Sequence, residues 1–249
     1  MKKLLLLAIV FVMALSACKK DSKHKIEKNH RQSVGHSAND LLSDKKYEDL
    51  IVEIQYMSGF RPDDAAIDNL KSFLSDRLHK NVSVTFTEIS AQGKATYSLD
   101  DIHSIEDANR REFTAKKQIA VYFLFLDGGY SEDTDDSKVL GVAYYNTSMA
   151  IFKKSIDDLS GGFGQPSAVL METTVINHEF GHILGLVNTG SSMQTSHQDA
   201  ANGAHCNNQD CLMYWETESG DVVSNLFGMS SAPALDANCL ADLQANGGK

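Results

Sequence analysis

Apolar residues recur along this chain with two different spacings. Alternating or continuous apolar stretches, rich in β-branched and aromatic residues, predict strands at 50–56, 82–89, 119–126, 139–143 and 148–152. Helices are predicted from Pro62 to Leu78, over about 99–113, from about 167 to 185 and over 236–243. This order predicts an α/β (α+β) fold, with a mixed, twisted sheet, one long helix and a loop-rich C-terminal subdomain.

The start of the chain has the pattern of an export signal. Two lysines precede an apolar run, 4–15, that is too short to span a bilayer. The run ends in Leu15-Ser16-Ala17-Cys18, which resembles a bacterial lipobox. The resemblance implies that 1–17 is a signal peptide, that Cys18 is lipidated, and that an exported lipoprotein of the cell envelope is anchored through this lipid alone. The alternative is an ordinary secretory signal in which Cys18 has no role.

Composition divides the remainder of the chain into two parts. Residues 18–46 are polar, with few large apolar side chains, which predicts a flexible tether after the lipidated cysteine. Residues 47–249 contain enough apolar side chains for one globular domain. The formal net charge of −10 argues against a nucleic-acid partner, because nucleic acid requires a clustered basic surface.

The segment HEFGH, residues 178–182, carries the strongest chemical signal. His178 and His182 are four residues apart on a predicted helix, so both imidazoles lie on one face and can bind one ion. Catalytic zinc accepts imidazole nitrogens and keeps one position open for water, toward which Glu179 can act as general base. Only about 0.014 matches to H-E-x-x-H are expected by chance in this composition. A core helix with two buried histidines is therefore the weaker interpretation.

The longer segment HEFGHILG resembles the zinc helix of the metzincin clan of metalloproteases. In that clan the glycine, here Gly185, ends the helix and turns the chain back toward the metal, and a third ligand follows three residues later. This sequence has Asn188 at that position, which is a poor zinc ligand. The resemblance implies a metzincin-like zinc metalloendopeptidase whose third ligand lies elsewhere.

A second segment, from His205-Cys206 through Cys211 to Met213, resembles the archaemetzincins. In that subfamily the third zinc histidine is followed by Cys, four residues, Cys, one residue and the methionine of the Met-turn. The resemblance implies that His205 is the third ligand and that Met213 packs beneath the metal, after an insertion of residues 188–204. His197, within that insertion, is the rival third ligand.

Archaemetzincins also hold a structural zinc through four cysteines. Cys206 and Cys211 match the first pair, while Asp236 and Cys239 stand for the second, so the resemblance implies a second zinc with one unusual ligand. A disulfide is the competing interpretation, since an exported chain meets an oxidising compartment. If Cys18 is lipidated, three cysteines remain, and a disulfide leaves one thiol over. Both interpretations stay open.

The site residues predict hydrolysis of a peptide or protein substrate, with Zn²⁺ as cofactor and Glu179 as general base. A binding lipoprotein that kept the zinc helix but lost turnover is the alternative, motivated by Asn188. A structural metal scaffold with a closed four-ligand site is a third hypothesis.

Two further features concern how a substrate is bound. The clan resemblance implies that a peptide adds as a strand to the edge of the sheet, and residues 148–152 are the candidate edge. Glu216 and Glu218, which follow the Met-turn, are candidates for a specificity pocket, with a solvated loop as the alternative.

Overall fold

The computed structural model describes residues 29–249, apart from 135, 136, 219 and 221. The predicted signal peptide and Cys18 lie outside these residues. Within the described ranges, no helix has both the length and the apolar character needed to cross a membrane.

The molecule is organised around a five-stranded sheet in the order β2-β1-β4-β7-β6. Neighbouring strands are parallel except for β6, which runs antiparallel to β7 at one edge. Strands β3 and β5 form a separate two-stranded parallel pair. The bounds are β1 Asp49–Met57, β2 Asn81–Ile89, β3 Thr96–Tyr97, β4 Gln118–Phe125, β5 Gly129–Tyr130, β6 Gly141–Tyr145 and β7 Ser148–Ile151. The five long strands predicted from hydrophobic patterning are confirmed.

Helices cover both faces of the sheet. The helix bounds are α1 Ala38–Leu42, α2 Asp64–Arg77, α3 Leu99–Asn109, α4 Lys153–Asp158, α5 Ala168–Ile183, α6 Val222–Leu226 and α7 Ala237–Ala245, with a 3₁₀ helix at Trp215–Glu218. The four predicted helices correspond to α2, α3, α5 and α7. The short helices α1, α4 and α6 were not predicted, because five or six residues are too few to show a period.

Strands β1 and β4 are both buried on both faces. The continuous apolar sequence of β4 predicts this, whereas β1 has an alternating sequence and also buries Glu53 and Gln55. One face packs against α2 and α5, where Leu70, Phe123 and Phe180 belong to the larger core cluster. The opposite face packs against α3 through a smaller cluster that includes Ile102 and Tyr122. Helix α5 is therefore fixed against the sheet along its length, and its remaining face is available for chemistry.

The prediction of a flexible tether is wrong for residues 30–46, which pack on the domain. Helix α1 buries Leu41 and Leu42 completely. The preceding segment is held by the side chain of Asn146, which accepts from the backbone N–H of Gln32 at 3.0 Å and donates to Ser37 Oγ at 2.7 Å. The polar composition was misleading because two leucines and a few hydrogen bonds to the domain are enough to order this short segment.

The candidate substrate edge was also placed on the wrong strand. Residues 148–151 form β7, which lies between β4 and β6 and has partners on both sides. The edge is β6, which precedes β7 in a hairpin. Hydrophobic alternation identified both strands but could not tell which of them is the outer one, because strand order depends on tertiary pairing.

Candidate active site

Helix α5 presents the HEFGH segment at its C-terminal end. The side chain of Ser167 caps the N-terminus by accepting from Leu170 N at 3.2 Å. The helix is largely buried, so its two histidines project into a site walled by protein: His178 is completely buried and His182 nearly so. Their rings lie with centroids 4.7 Å apart.

Tertiary structure brings His205 to this pair. Candidate ligand atoms of His178, His182 and His205 all lie within 4.8 Å of one another. The centroid of the His205 ring is 5.3 Å from that of His178 and 5.0 Å from that of His182, so the three rings form a nearly equilateral triangle. We call these three residues the histidine triad. The rival residue, His197, lies in a different cluster.

Each ring of the histidine triad has its Nδ1 atom on a backbone carbonyl. His178 Nδ1 donates to Leu212 O at 2.7 Å, His182 Nδ1 to Leu186 O at 3.0 Å and His205 Nδ1 to Asn202 O at 2.6 Å. Since Nδ1 carries the proton, each neutral ring has its lone pair on Nε2. This fixed tautomer, with three imidazoles converging, fits a Zn²⁺ ion, which ordinarily takes such ligands with their second nitrogen hydrogen-bonded.

The two ends of the inserted segment, residues 188–204, lie close together. Gly185 adopts a positive φ of 84°, and its carbonyl accepts the N–H groups of Thr189, Gly190 and Ser191 at 3.0–3.1 Å. Val187 N then donates to Ala204 O at 3.1 Å, which closes the insertion as a loop and places His205 directly after it. Asn188 is exposed. The predicted turn at Gly185 is confirmed.

Met213 packs against helix α5 at Gly181. A Cβ atom added to Gly181, between the two helical histidines, would overlap the Met213 sulfur, so only glycine at this position permits the contact. The Met213 carbonyl accepts from Cys206 N at 2.7 Å, which ties the turn to the segment bearing His205. The preceding residue, Leu212, supplies the carbonyl that orients His178.

Glu179 lies between α5 and the edge strand β6. Its Oε2 accepts from Ala143 N at 2.6 Å, and the side chain is completely buried. A Cβ atom at Gly141 would lie 2.8 Å from Glu179 Cγ, so this glycine allows the strand to approach the carboxylate. The arrangement places a carboxylate beside the histidine triad and against the edge of the sheet.

A second cluster lies behind the first and is built from C-terminal loops and α7. We call its members the cysteine cluster: His197, Cys206, Cys211, Asp236 and Cys239. Candidate ligand atoms of all but Cys211 lie within 4.8 Å of one another, and Cys211 Sγ is 3.7 Å from Cys239 Sγ. The three thiols are free and buried, so the disulfide interpretation does not describe this structure.

Two members of the cysteine cluster compete for the role of fourth ligand. Asp236 is the N-cap of α7, accepting from Cys239 N at 2.8 Å, and its other oxygen accepts from the Cys206 thiol at 3.3 Å. His197 Nδ1 lies 3.4 Å from Cys206 Sγ and 4.0 Å from Cys239 Sγ. His197 Nε2 is held by Asp242 Oδ2 at 2.8 Å, so the atom that faces the sulfurs is Nδ1. The donor set therefore fits zinc with the cysteine thiols and either His197 or Asp236, since one Asp236 oxygen caps α7 and the other faces the Cys206 thiol.

Electrostatics within the cysteine cluster differ between the thiols. Burial raises the pKa of Cys206 to about 12, whereas a hydrogen bond from Cys239 lowers the pKa of Cys211 to about 7. The same hydrogen bond, together with burial, raises the pKa of Cys239. Three buried thiols in one cluster cannot all ionise without a cation among them.

The fold that carries the histidine triad, with two of its three members on the long helix α5, is similar to that of a solved archaemetzincin structure. In comparison with solved structures, the chain is similar to the archaemetzincin from Methanopyrus kandleri, with a TM-score of 0.53 and 14% sequence identity over 80% of this chain and 95% of the other. It also resembles metalloproteinase-II from Bacteroides fragilis, with a TM-score of 0.42 and 13% identity, covering 84% of this chain and 60% of that one.

At such low identity, what this chain shares with the archaemetzincin is its fold. No known family model matches the sequence, and no curated protein matches it either. The archaemetzincin resemblance expected from the two histidine-containing segments is confirmed at the level of fold.

Three residues of the site were not identified from the sequence. Asp242 orients His197, while Gly141 and Gly181 permit close approach at Glu179 and Met213. No local pattern marks them, because each acts on a residue at least 30 positions away.

Trp215, in the 3₁₀ helix after the Met-turn, is partly buried. Its ring centroid lies 6.0 Å from that of Tyr214.

Proposed function

We propose that this chain is a zinc-dependent endopeptidase in which the histidine triad holds the catalytic ion and Glu179 is the general base. The observation that carries the proposal is the convergence of three Nε2 atoms, each fixed by a bond from Nδ1 to a carbonyl, beside a buried carboxylate. Three protein ligands leave room for a reactant, whereas a structural site is closed by four.

Zinc, when bound, supplies a Lewis acid for the scissile carbonyl and lowers the pKa of the attacking water. The chain supplies the rest. The carbonyls of Leu212, Leu186 and Asn202 keep the three imidazoles in one tautomer and orientation. Glu179 takes the proton of the attacking water on a carboxylate oxygen and then delivers it to the departing amine nitrogen.

The edge strand β6 supports binding of an extended peptide. It is one of the two outer strands of the sheet, and Ala143 in it contacts Glu179 directly. A substrate strand added to β6 would therefore pass beside the general base. Glu216 in the 3₁₀ helix after the Met-turn is a candidate for the wall of a specificity pocket, since this helix packs against α5.

A second zinc in the cysteine cluster is part of the same proposal. Its ligands would be Cys206, Cys211, Cys239 and His197, with Asp242 orienting the histidine. Since Cys206 follows His205 and Cys211 is two residues from Met213, this ion would hold the segment that carries the third catalytic ligand.

Export as a lipoprotein also remains a proposal, supported by the apolar run and the lipobox-like residues before Cys18. Mass spectrometry of the protein from its cell envelope tests it. We expect an N-terminal diacylglyceryl cysteine at residue 18, and an unmodified N-terminus elsewhere would contradict the proposal.

The test of the enzymatic proposal compares wild type with Glu179→Gln. We expect wild-type protein to cleave internal bonds in a mixed peptide library, and the variant to keep its zinc but lose cleavage. The binding-lipoprotein hypothesis predicts the contrary: zinc in both proteins and no difference between them. That hypothesis is motivated by Asn188, and the convergence of His205 with His178 and His182 argues against it.

A further inference from the structure

The segment that precedes α1 crosses the domain from one face of the sheet to the other. We call residues 30–37 the N-terminal strap. On the α3 side, Arg31 of the strap forms an ion pair with Asp107. On the α5 side, Gly35 is buried against the turn that follows this helix, where an added Cβ atom would lie 2.5 Å from Thr189 O. The strap therefore contacts elements that cover opposite faces of the sheet.

Between these two contacts the N-terminal strap passes the end of β6. The turn after Tyr145 begins with Asn146, whose backbone N–H donates to Gln32 O at 3.0 Å and whose Oδ1 accepts from Gln32 N at 3.0 Å. The amide group of the same side chain donates to Ser37 Oγ at 2.7 Å, and Asn146 is completely buried. One buried asparagine therefore holds the strap at the point where the edge strand stops.

Strand β6 and helix α5 lie side by side and run in the same direction. A Cβ atom added to Gly141, at the start of β6, would lie 2.8 Å from Val175 Cγ1 and 2.8 Å from Glu179 Cγ. Two residues later along the strand, Ala143 N donates to Glu179 Oε2. From this contact, β6 continues to its hairpin turn and α5 continues to the turn at Gly185.

The N-terminal strap joins these two ends. Its residue Gln32 is bonded to the turn after β6, and a Cβ atom at Gly35 would lie 3.1 Å from Gly185 Cα in the turn after α5. The same turn contains Leu186, whose carbonyl orients His182 of the histidine triad. The space between the edge strand and the helix therefore ends, in the direction in which both elements run, at a segment of the chain itself.

A peptide that adds to β6 beside Glu179 reaches the N-terminal strap after a short distance. Asn146 is three residues beyond Ala143, which corresponds to about 10 Å at the rise of a β-strand. Antiparallel pairing is the commoner arrangement of neighbouring strands, and in that arrangement the amino end of the peptide points toward the strap. The space on the amino side of the bond that is cut is therefore about three residues long.

We propose that the N-terminal strap closes one end of the substrate groove, so that this peptidase cuts peptides within about three residues of their amino terminus. This inference rests on the proposed function, since it specifies which bonds of an extended peptide the proposed site can reach. Its substrates are peptides with a free and extended amino end. A bond in the middle of a long chain has too many residues on the closed side, and these overlap the strap.

The experiment uses fluorogenic peptides that share one cleavable sequence taken from the mixed library. One series has two, three, six or nine residues before the bond that is cut, and a matched series varies the carboxyl side in the same way. Cleavage by wild type is measured as kcat/KM, and binding to the Glu179→Gln protein by fluorescence anisotropy. We expect kcat/KM to fall about 10-fold or more between three and six amino-side residues, with no such fall in the matched series. Equal values along the amino-side series, or a fall in the carboxyl-side series alone, would overturn the inference.

A variant at Asn146 tests whether the N-terminal strap sets this limit. Asn146→Ala removes the side-chain hydrogen bonds to Gln32 and Ser37, so we expect the preference for short amino sides to fall about 3- to 10-fold. The control is Asn39→Ala, which removes a hydrogen bond to Asn246 O from an exposed residue of α1 and leaves these bonds in place. If Asn146 has only a structural role, kcat/KM falls by one factor for all peptide lengths, and the inference is wrong.

A second variant displaces the other end of the N-terminal strap. In Gly35→Ala the added methyl group overlaps Thr189 O, whereas in Gly93→Ala nothing lies within 4 Å of it. Both glycines have a positive φ, 78° and 63°, so the two variants share the backbone strain and differ in the contact. We expect only Gly35→Ala to reduce the preference for short amino sides, with unchanged zinc content. An unchanged preference in both Asn146→Ala and Gly35→Ala would overturn the inference.

Failure of the proposed function gives a different result from failure of this inference. If the Glu179→Gln protein binds peptides with short amino sides preferentially but wild type cleaves none of them, the strap limits binding and the proposed peptidase activity fails. If wild type cleaves all lengths equally well, the peptidase activity stands and the strap has no part in its specificity.

Discussion

The histidine triad and the cysteine cluster are neighbours in space but are assembled in different ways. The triad takes two of its three members from one helix, where spacing of four residues alone puts them on one face. The cysteine cluster takes its members from several segments between residues 197 and 239, and only Asp236 and Cys239 share an element, at the first turn of α7. Each cluster contains one histidine that reaches it only through a loop: His205 in the first and His197 in the second.

The two sites are linked by a single segment of the chain, which supplies members to both. His205 and Cys206 are adjacent, and Cys206 N donates to Met213 O at 2.7 Å. The cysteine cluster therefore anchors both ends of the segment that brings His205 and Met213 to α5. The two helical histidines share a face without the cluster, whereas the cluster helps to hold the segment that carries the third histidine.

The largest expected effect is at Glu179. Glu179→Gln keeps the shape of the side chain and removes its basicity, so we expect kcat/KM for peptide cleavage to fall about 10²- to 10⁴-fold. Zinc content, measured by inductively coupled plasma mass spectrometry, should stay at the wild-type value. Loss of zinc from this variant would instead show that Glu179 contributes to zinc binding.

Substitution of His205 and of His197 distinguishes the two clusters. We expect wild type to contain two zinc ions per chain, and His205→Ala and His197→Ala to contain one each. His205→Ala should abolish cleavage with a small change in melting temperature, because the cysteine cluster stays closed. His197→Ala should lower the melting temperature more, since a structural zinc contributes directly to folding free energy. If His197→Ala loses the catalytic ion first, the assignment of the third ligand is wrong.

A smaller effect is expected at Asp242, which orients His197. Asp242→Asn preserves size but weakens the hydrogen bond to His197 Nε2, and we expect about 10- to 100-fold weaker zinc binding at the cysteine cluster. Competition with a chromophoric chelator measures this in a His205→Ala background, in which only the cysteine-cluster ion is expected. Asp210→Asn, at an exposed position, serves as the control. Equal zinc affinity in the two variants would exclude Asp242 as the orienting residue.

The smallest effect concerns the contact between α5 and the Met-turn. Gly181→Ala would stabilise an isolated helix by about 1 kcal/mol, but here the added methyl group overlaps the Met213 sulfur. We expect a net loss of about 1–3 kcal/mol in the free energy of unfolding, measured in urea. In Gly220→Ala the added Cβ meets only ordinary contacts, with 3.4 Å to the nearest atom, so this variant should be nearly neutral. A stabilised Gly181→Ala protein would mean that Met213 moves without cost.

Much of the fold could be predicted because its signals are local. Strand β4 has eight residues of which seven are fully buried, and such a continuous apolar run is typical of a strand covered on both faces. The packing of residues 30–46 on the domain could not be predicted in this way. Ordering of residues 30–46 depends on Asn146, more than 100 residues away, so composition within the segment does not report it.

By itself, the sequence determined the helix that carries the HEFGH segment and the glycine that ends it. It also determined that the two histidines share one face, with a carboxylate next to the first. These features follow from spacing within one element, where a turn of 3.6 residues fixes which side chains share a face. Only the tertiary structure decided that His205 and not His197 joins the triad, that His197 faces the cysteines, and that β6 and not β7 is the edge. Those outcomes depend on where loops close, and Val187 N meeting Ala204 O is a contact that no local pattern encodes.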